Sequence, residues 1–354
     1  MFWVEEVKIY FNKYGGLLLF LLILALGTGI YFLHGKHNKL AEKTETVKVL
    51  GTQRPIYYLT LEIAGNLGFF QEQKLRVEAA ARATEEALIP ALLSGQADIA
   101  LVDLEKAIYA RAENKPVVIF AALTAKNDSF LMGRPNNVSF SWLNLKGKAI
   151  ITDSPESQET VLLKSVLRKN NLVLYREVTL FTNIPTSLRI GGFLAGTGDF
   201  MLAAEPVVSL LENEGAGKII AFLGQEEGNF PAQVFVTRIN FAQEHPQVLL
   251  RFTKAIYQTQ FWLKSSSPAT ITSILSPTFY QQQKINRQDL SKILKRYLGQ
   301  NIWADSPFIE PEQYDYFIHL LMESKEIARP VAYKKIINSS FCPRGFKNHK
   351  TNKL

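Results

Sequence analysis

The sequence predicts an α/β protein with mainly parallel sheets, built as two successive series of βαβ units and closed by a helical stretch. Three observations predict it. Short apolar runs alternate with single helical segments from residue 47 to residue 224, the pattern of strands joined by crossover helices. The runs are apolar throughout, as in Ile99, Ala100, Leu101 and Val102, which suits a parallel strand covered by helices on both faces. The alternation restarts near Leu145 and gives way after Phe241 to a mainly helical region.

In the first series, strands are expected at 47–51, 75–81, 97–102 and 116–123. A helix over 58–70 follows from the spacing of Leu61, Ala64, Leu67 and Phe69, with Gly68 weakening its last turn. A second helix, 84–93, has Thr84 as N-cap and Glu85 and Glu86 in its first turn. A third spans 104–113. In the second series, strands are expected at 148–152, 174–181, 198–204 and 218–224, with helices at 184–195 and 207–214. A helix after Asp153 is expected to take Ser154 as N-cap, Pro155 as first helical residue and Glu156 in its first turn. Residues 232–237 read as an extended crossover.

Composition bounds the function. With 354 residues the chain can hold two domains of ordinary size, and 47% hydrophobic with 20% charged residues is a globular balance. The net charge of +8 is partly concentrated at Lys36, Lys39 and Lys43 and at Arg344, Lys347, Lys350 and Lys353. The last group reads as a solvated, disordered tail. No basic stripe with interleaved aromatics runs through the body, so no nucleic-acid partner is expected. The one cysteine, Cys342, allows no internal disulfide and belongs to no zinc-type spacing.

Residues 17–33 carry no charge and are just long enough for a membrane helix of ~17 residues. Trp3, Tyr10, Phe11, Tyr14 and Tyr31 suit interface positions. A cleaved signal peptide is the competing reading. The run ends without a small-x-small cleavage site, so an uncleaved anchor is favoured. Positive charge alone does not orient it: Glu5 and Glu6 offset Lys8 and Lys13, and three lysines lie beyond the run.

The apolar strand 99–102 ends on Asp103. In open α/β sheets, ligands bind beyond the carboxyl ends of the strands. A carboxylate there stands at the rim of a site.

The order of the pieces resembles a known family. AGNLGFFQEQKLRVE, IPALLSGQADIALVD, ENKPVVIFAAL, then a Gly-x-x-Asp turn at 196–199, Glu205-Pro206 and FPAQVFVTRINFAQEHPQ follow in turn. Together they resemble the substrate-binding proteins of ABC importers, in the branch for aliphatic sulfonates, taurine, nitrate and thiamine-type pyrimidines, over roughly residues 47–341. The resemblance implies a type II periplasmic-binding-protein fold: two lobes, two hinge crossovers near 129–134 and 232–237, and a ligand clamped between the lobes. It divides the chain into a short segment (1–16), an anchor or signal (17–33), a linker (34–46), the first part of lobe one (47–131), a second lobe with hinge segments (132–231), the return crossover with the C-terminal helices of lobe one (232–341) and the basic tail (342–354). It also implies a place on the outer face of a bacterial cytoplasmic membrane, ABC permease and ATPase subunits as partners, and no cofactor.

Ligand-binding candidates follow from strand ends and helix starts. In lobe one they are Gln53, Arg54, Tyr57, Tyr58 and Asp103. Arg54 offers a donor fork to an anion, or else pairs with Asp103. One of the two tyrosines is expected to pack inward. In lobe two they are Asp153, Ser154 and Ser157 at a helix start and Glu205 before Pro206. Each has a plainer role open to it, N-capping for Ser154 and local N–H groups for Glu205. The rival class is an enzyme of the menaquinone or thiamine-pyrimidine type. His34, His37, His245, His319 and His349 do not cluster with Cys or Asp at useful spacing, so no catalytic set is expected. A membrane-tethered sensor of the same fold remains the second alternative.

Overall fold

The computed structural model describes residues 44–51, 55–79, 84–135 and 140–342. The expected anchor at residues 17–33, the candidates Gln53 and Arg54, and the tail from residue 343 lie outside them. Among the described residues no helix is long and apolar enough to cross a membrane.

Two five-stranded sheets carry the described chain. The first holds β1 (Glu45–Leu50), β2 (Leu75–Ala79), β3 (Ile99–Asp103), β4 (Val117–Ala122) and β10 (Gln233–Arg238), in the order β2-β1-β3-β10-β4. The second holds β5 (Phe130–Gly133), β6 (Lys148–Ile151), β7 (Val178–Phe181), β8 (Phe200–Ala203) and β9 (Lys218–Phe222), in the order β7-β6-β8-β5-β9. β1 pairs parallel with β2 and β3, and β6 with β7 and β8. This is the α/β, two-sheet architecture that the alternation requires.

The two segments read as extended crossovers turn out to be strands. β5 follows β4 of the first sheet but inserts antiparallel between β8 and β9 of the second. β10 follows β9 of the second sheet and inserts antiparallel between β3 and β4 of the first. The chain therefore passes between the lobes twice, through residues 123–129 and 223–232. Each crossing ends in a strand whose backbone is fixed by pairing on both sides.

Some local expectations are corrected. The first helix begins at Pro55 and ends at Asn66, where Gly68 at φ 78° separates it from a short turn of helix, Phe69–Glu72. Gly reaches that left-handed region without steric cost. β7 is shorter than the expected 174–181 because Tyr175 sits at φ 63°, outside strand geometry, in a turn where Glu177 accepts from the Val173 N–H. The helix after Asp153 begins three residues later than expected, at Gln158. Its N-cap is Ser157, which accepts from the Thr160 N–H at 3.3 Å, whereas the Ser154 N–H donates to Asp153 at 2.7 Å. Thr84 does stand at its helix N-cap, but without a side-chain bond.

Apolar side chains from both lobes share one buried cluster. It joins Val49, Tyr57 and Phe120 of lobe one to Ile151, Phe193, Met201 and Val208 of lobe two, with Phe130, Tyr297 and Trp303 among its members. Phe130 stacks on Phe222 with centroids 4.8 Å apart. A buried polar knot lies at the two crossings. Gln158 of lobe two accepts from Asn127 Nδ2 at 2.8 Å and donates to Glu105 at 3.2 Å and to the Ala232 carbonyl at 3.1 Å. Asn127 in turn accepts from the Ser129 N–H.

Two stability predictions follow from the crossings. A Cβ at Gly224 would stand 2.3 Å from the Asn127 carbonyl oxygen and 2.5 Å from the Phe222 ring. Gly224→Ala should therefore cost about 1–3 kcal/mol, read as a lower midpoint of chemical unfolding. An unchanged midpoint would show that the second crossing yields freely. Gln158→Leu keeps the volume but removes one hydrogen bond each from Asn127, Glu105 and the Ala232 carbonyl, and should cost about 1–3 kcal/mol. Denaturation that matches wild type would mean that the knot contributes nothing.

Candidate functional site

The strand ends and the helices that follow them determine where a ligand can be held. Strand β3 is buried along its whole length, Asp103 included, and Asp103 opens helix Leu104–Ala112 without a side-chain cap bond. A buried carboxylate at this place is costly unless it is partnered, and Asp103 has such an interaction. Tyr58 lies over the end of β1: a Cβ on Gly51 would meet its ring at 3.1 Å. Tyr58 is half-buried, whereas Tyr57 is 1% exposed and belongs to the shared apolar cluster. One tyrosine packs inward, as helical geometry demands of neighbours that point in different directions.

In lobe two, Thr152 ends the β6 run and its hydroxyl meets that of Thr160 at 2.8 Å. Asp153 is held by both arms of Arg189, at 2.5 and 2.9 Å. Such a two-armed pair is directional and strong. Ser157 is buried as a cap. Glu205 follows β8 and joins Pro206 through a cis peptide bond. Its side chain is fully buried, accepts from the Ser209 N–H at 3.0 Å and the Ser209 hydroxyl at 3.1 Å, and pairs with Arg296. Burial pushes its carboxyl upward from the usual range, and Arg296 and Ser209 oppose that shift.

Arg296 and Tyr297 come from helix Arg287–Gly299, far along the chain. Arg296 bridges Glu205 and Glu212, the latter at 2.5 Å, with its guanidinium 5.6 Å from the centre of the Phe130 ring. Tyr297 is buried and donates to Asp128 of the first crossing at 2.5 Å. Burial and the Asp128 charge push its phenol well above its ordinary value, so it stays a donor. Tyr57 and Glu205 also act electrostatically on Tyr297. Thus groups of lobe one (Tyr57), the crossing (Asp128) and lobe two (Glu205) meet around one C-terminal helix. Asp153 and Arg189 form a separate pair in lobe two.

Arg189, Arg296, Tyr297 and Asp128 were not among the sequence candidates. Arg189 had a signal, since it is the only charged residue between Glu177 and Asp199. Arg296 and Tyr297 lie in an ordinary amphipathic helix whose pattern marks them only as face and core. Among the described residues, no group of three or more His, Cys, Asp or Glu could hold a metal ion.

Known proteins share this frame. The Bacillus subtilis (strain 168) protein YtlA, whose name marks it as a candidate binding protein, is 28% identical over 86% of this chain and 91% of its own length. The alkanesulfonate-binding protein SsuA from Xanthomonas axonopodis pv. citri, solved bound to MOPS, superposes with a TM-score of 0.67 at 15% identity, over 84% of this chain and 99% of that one. The ligand-binding component of an ABC-type import system from Staphylococcus aureus, solved with zinc bound, gives 0.68 at 16% identity, over 84% and 97%. These relatives are binding proteins and not enzymes, in keeping with the expectation of no catalytic set. The family model described as NMT1/THI5 like matches residues 56–265, more than half of the 354, and the chain belongs to that family.

Proposed function

We propose that this protein is the extracytoplasmic solute-binding component of an ABC importer. It captures a small organic solute, sulfonate-, nitrate- or pyrimidine-like, between its lobes and delivers it to a membrane permease and its ATPase. The observation that carries the reading is the pair of crossings. Each lobe hands one strand to the other lobe's sheet; Tyr58 lies over the end of β1, Asp103 ends β3 and Glu205 follows β8. Among the named relatives, SsuA binds alkanesulfonates and the Staphylococcus aureus protein is the ligand-binding component of an ABC-type import system, and both support the importer role.

Charge refines the proposal. Both guanidinium groups described above are engaged, Arg189 by Asp153 and Arg296 by Glu205 and Glu212. An anionic solute is therefore assigned to Arg54, with Gln53 and Tyr58 as further candidates from the same stretch of sequence. Asp103 is the residue assigned to accept from N–H groups of a solute such as a pyrimidine. Asp153, Ser154 and Ser157 are a weaker part of the site: Asp153 is taken by Arg189, Ser157 by its cap, and the helix start lies at Gln158. Residues 17–33 serve as an uncleaved anchor that holds the lobes outside the cytoplasmic membrane.

A thermal-shift screen of the full-length chain against alkanesulfonates, taurine, nitrate and pyrimidines tests the class. A binder at a hundred times its Kd should stabilise by about 2.7 kcal/mol. If the hit is an anion, Arg54→Ala should weaken it by about 2–5 kcal/mol in calorimetry. Equal affinities would remove Arg54 from the site, and a screen without any shift would count against the solute class. For the anchor, N-terminal sequencing of the mature protein should begin at or near Met1 and the protein should sediment with membranes. A sequence starting beyond residue 35 in a freely soluble protein would identify a cleaved signal instead.

A further inference from the structure

The seam between the lobes has two flanks, and their charges run in opposite senses. On one flank, lobe two is basic: Lys164 pairs with Glu326 at 2.6 Å, and Arg168 with Glu323 at 2.5 Å. Lys169 pairs at 2.9 Å with Glu227 of the second crossing, which also accepts from Tyr316 at 2.6 Å. On the other flank, lobe two is acidic. Glu205 and Glu212 face Arg296, Glu212 also meets Lys292 at 3.3 Å, and Asn213 donates to Asp289 at 3.1 Å. Here helix Val207–Asn213 lies along helix Arg287–Gly299, and just beyond that helix the Ala304 N–H donates to the Leu123 carbonyl at the start of the first crossing.

The two flanks differ in what else holds them. The first is backed by the Gln158 knot and by Tyr109, which donates to the Glu156 carbonyl at 2.8 Å. The second is incompletely filled. A cavity of about 210 Å³ opens between the two helices, lined by Pro206, Val207, Leu210, Lys284, Ile285 and Ile293. The shared apolar cluster continues here through Val208, Leu211, Ile293 and Leu294, and the ion pairs join the two helices beside it. Within them Arg296 is central, because it alone reaches both carboxylates and covers Phe130.

We propose that Arg296 is a cross-lobe positioning residue: it latches lobe two shut on this flank and holds the Glu205 carboxylate in place for the closed, solute-binding form. The proposal rests on the reading of the lobes as a clamp. Opening would bring Glu205 into water and separate it from Arg296, so the carboxylate is set in its buried position only when the lobes meet. A buried pair broken on one side leaves an uncompensated charge, and Glu205 without Arg296 lacks its counter-charge. Solute capture would then draw on a latch already formed within the protein, lowering the differential binding that closure requires of the solute.

The test needs no solute, so it stands apart from the outcome of the ligand screen. Spin labels are placed on the full-length chain at Leu210→Cys, which lines the cavity, and at Gln281→Cys, in helix Pro277–Gln283 just before Lys284; the native Cys342 is buried. Double electron–electron resonance should give one narrow distance for the otherwise wild-type chain. Arg296→Gln should shift the distribution to longer distances, and Arg296→Lys, which keeps the charge but not the fork, should restore part of the short component. A distribution in Arg296→Gln that matches wild type would overturn the latch, as would a Lys variant no closer to wild type than Gln. If Arg296→Gln does not fold, Glu212→Gln decides: longer distances support the proposal, and an unchanged distribution overturns it.

Discussion

The hydrogen-bond knot around Gln158 is the constraint on which the two-lobe arrangement depends. Gln158 belongs to lobe two, Glu105 to lobe one, and Asn127 and Ala232 to the two crossings. One side-chain amide therefore ties together every part of the chain that passes between the lobes. Because the amide is wholly buried, its donors and acceptors have no water to turn to, and any rotation of the lobes must keep or replace these bonds. That makes the crossings a pivot with defined geometry. The same location explains why Gly224 lacks a side chain: the Asn127 carbonyl occupies the space a Cβ would need.

Around that pivot the remaining interlobe contacts divide by charge. Basic residues of helix Gln158–Lys169 meet Glu323 at the end of helix Pro311–Glu323 and Glu326 just beyond it, while acidic residues around helix Val207–Asn213 meet basic ones of helix Arg287–Gly299. Exchanging the flanks would set like charges against each other, so the pattern favours one docking of the lobes over its alternatives. Exposed members of this set contribute little individually. Glu205 and Glu227 differ because their carboxylates are fully buried and must be compensated where they stand.

The candidate site was only partly legible in the sequence. Asp103 and Glu205 could be selected because a charge that ends an apolar run or precedes a proline is a local feature. Their partners could not. Arg296 lies 91 residues beyond Glu205, and nothing in an amphipathic helix tells which neighbour its charged face will meet. Ser154 illustrates the reverse error. A Ser-Pro-Glu string is a good helix start, yet Asp153 captures the Ser154 N–H and the turn postpones the helix to Ser157. Ser157, three residues on, takes the cap instead.

By itself the sequence determined the strand and helix alternation, the burial of the apolar runs, and the inward packing of one of two adjacent tyrosines. These rest on short-range periodicity and on the hydrophobic effect, which act within a few residues. Tertiary structure alone decided that the segments 130–133 and 233–238, which follow the crossings, become antiparallel strands in the opposite sheets, that Arg189 takes Asp153, and that Arg296 takes Glu205. Backbone pairing and ion pairing depend on what lies alongside in space. For this chain those neighbours are set by two passages between lobes, which no local pattern encodes.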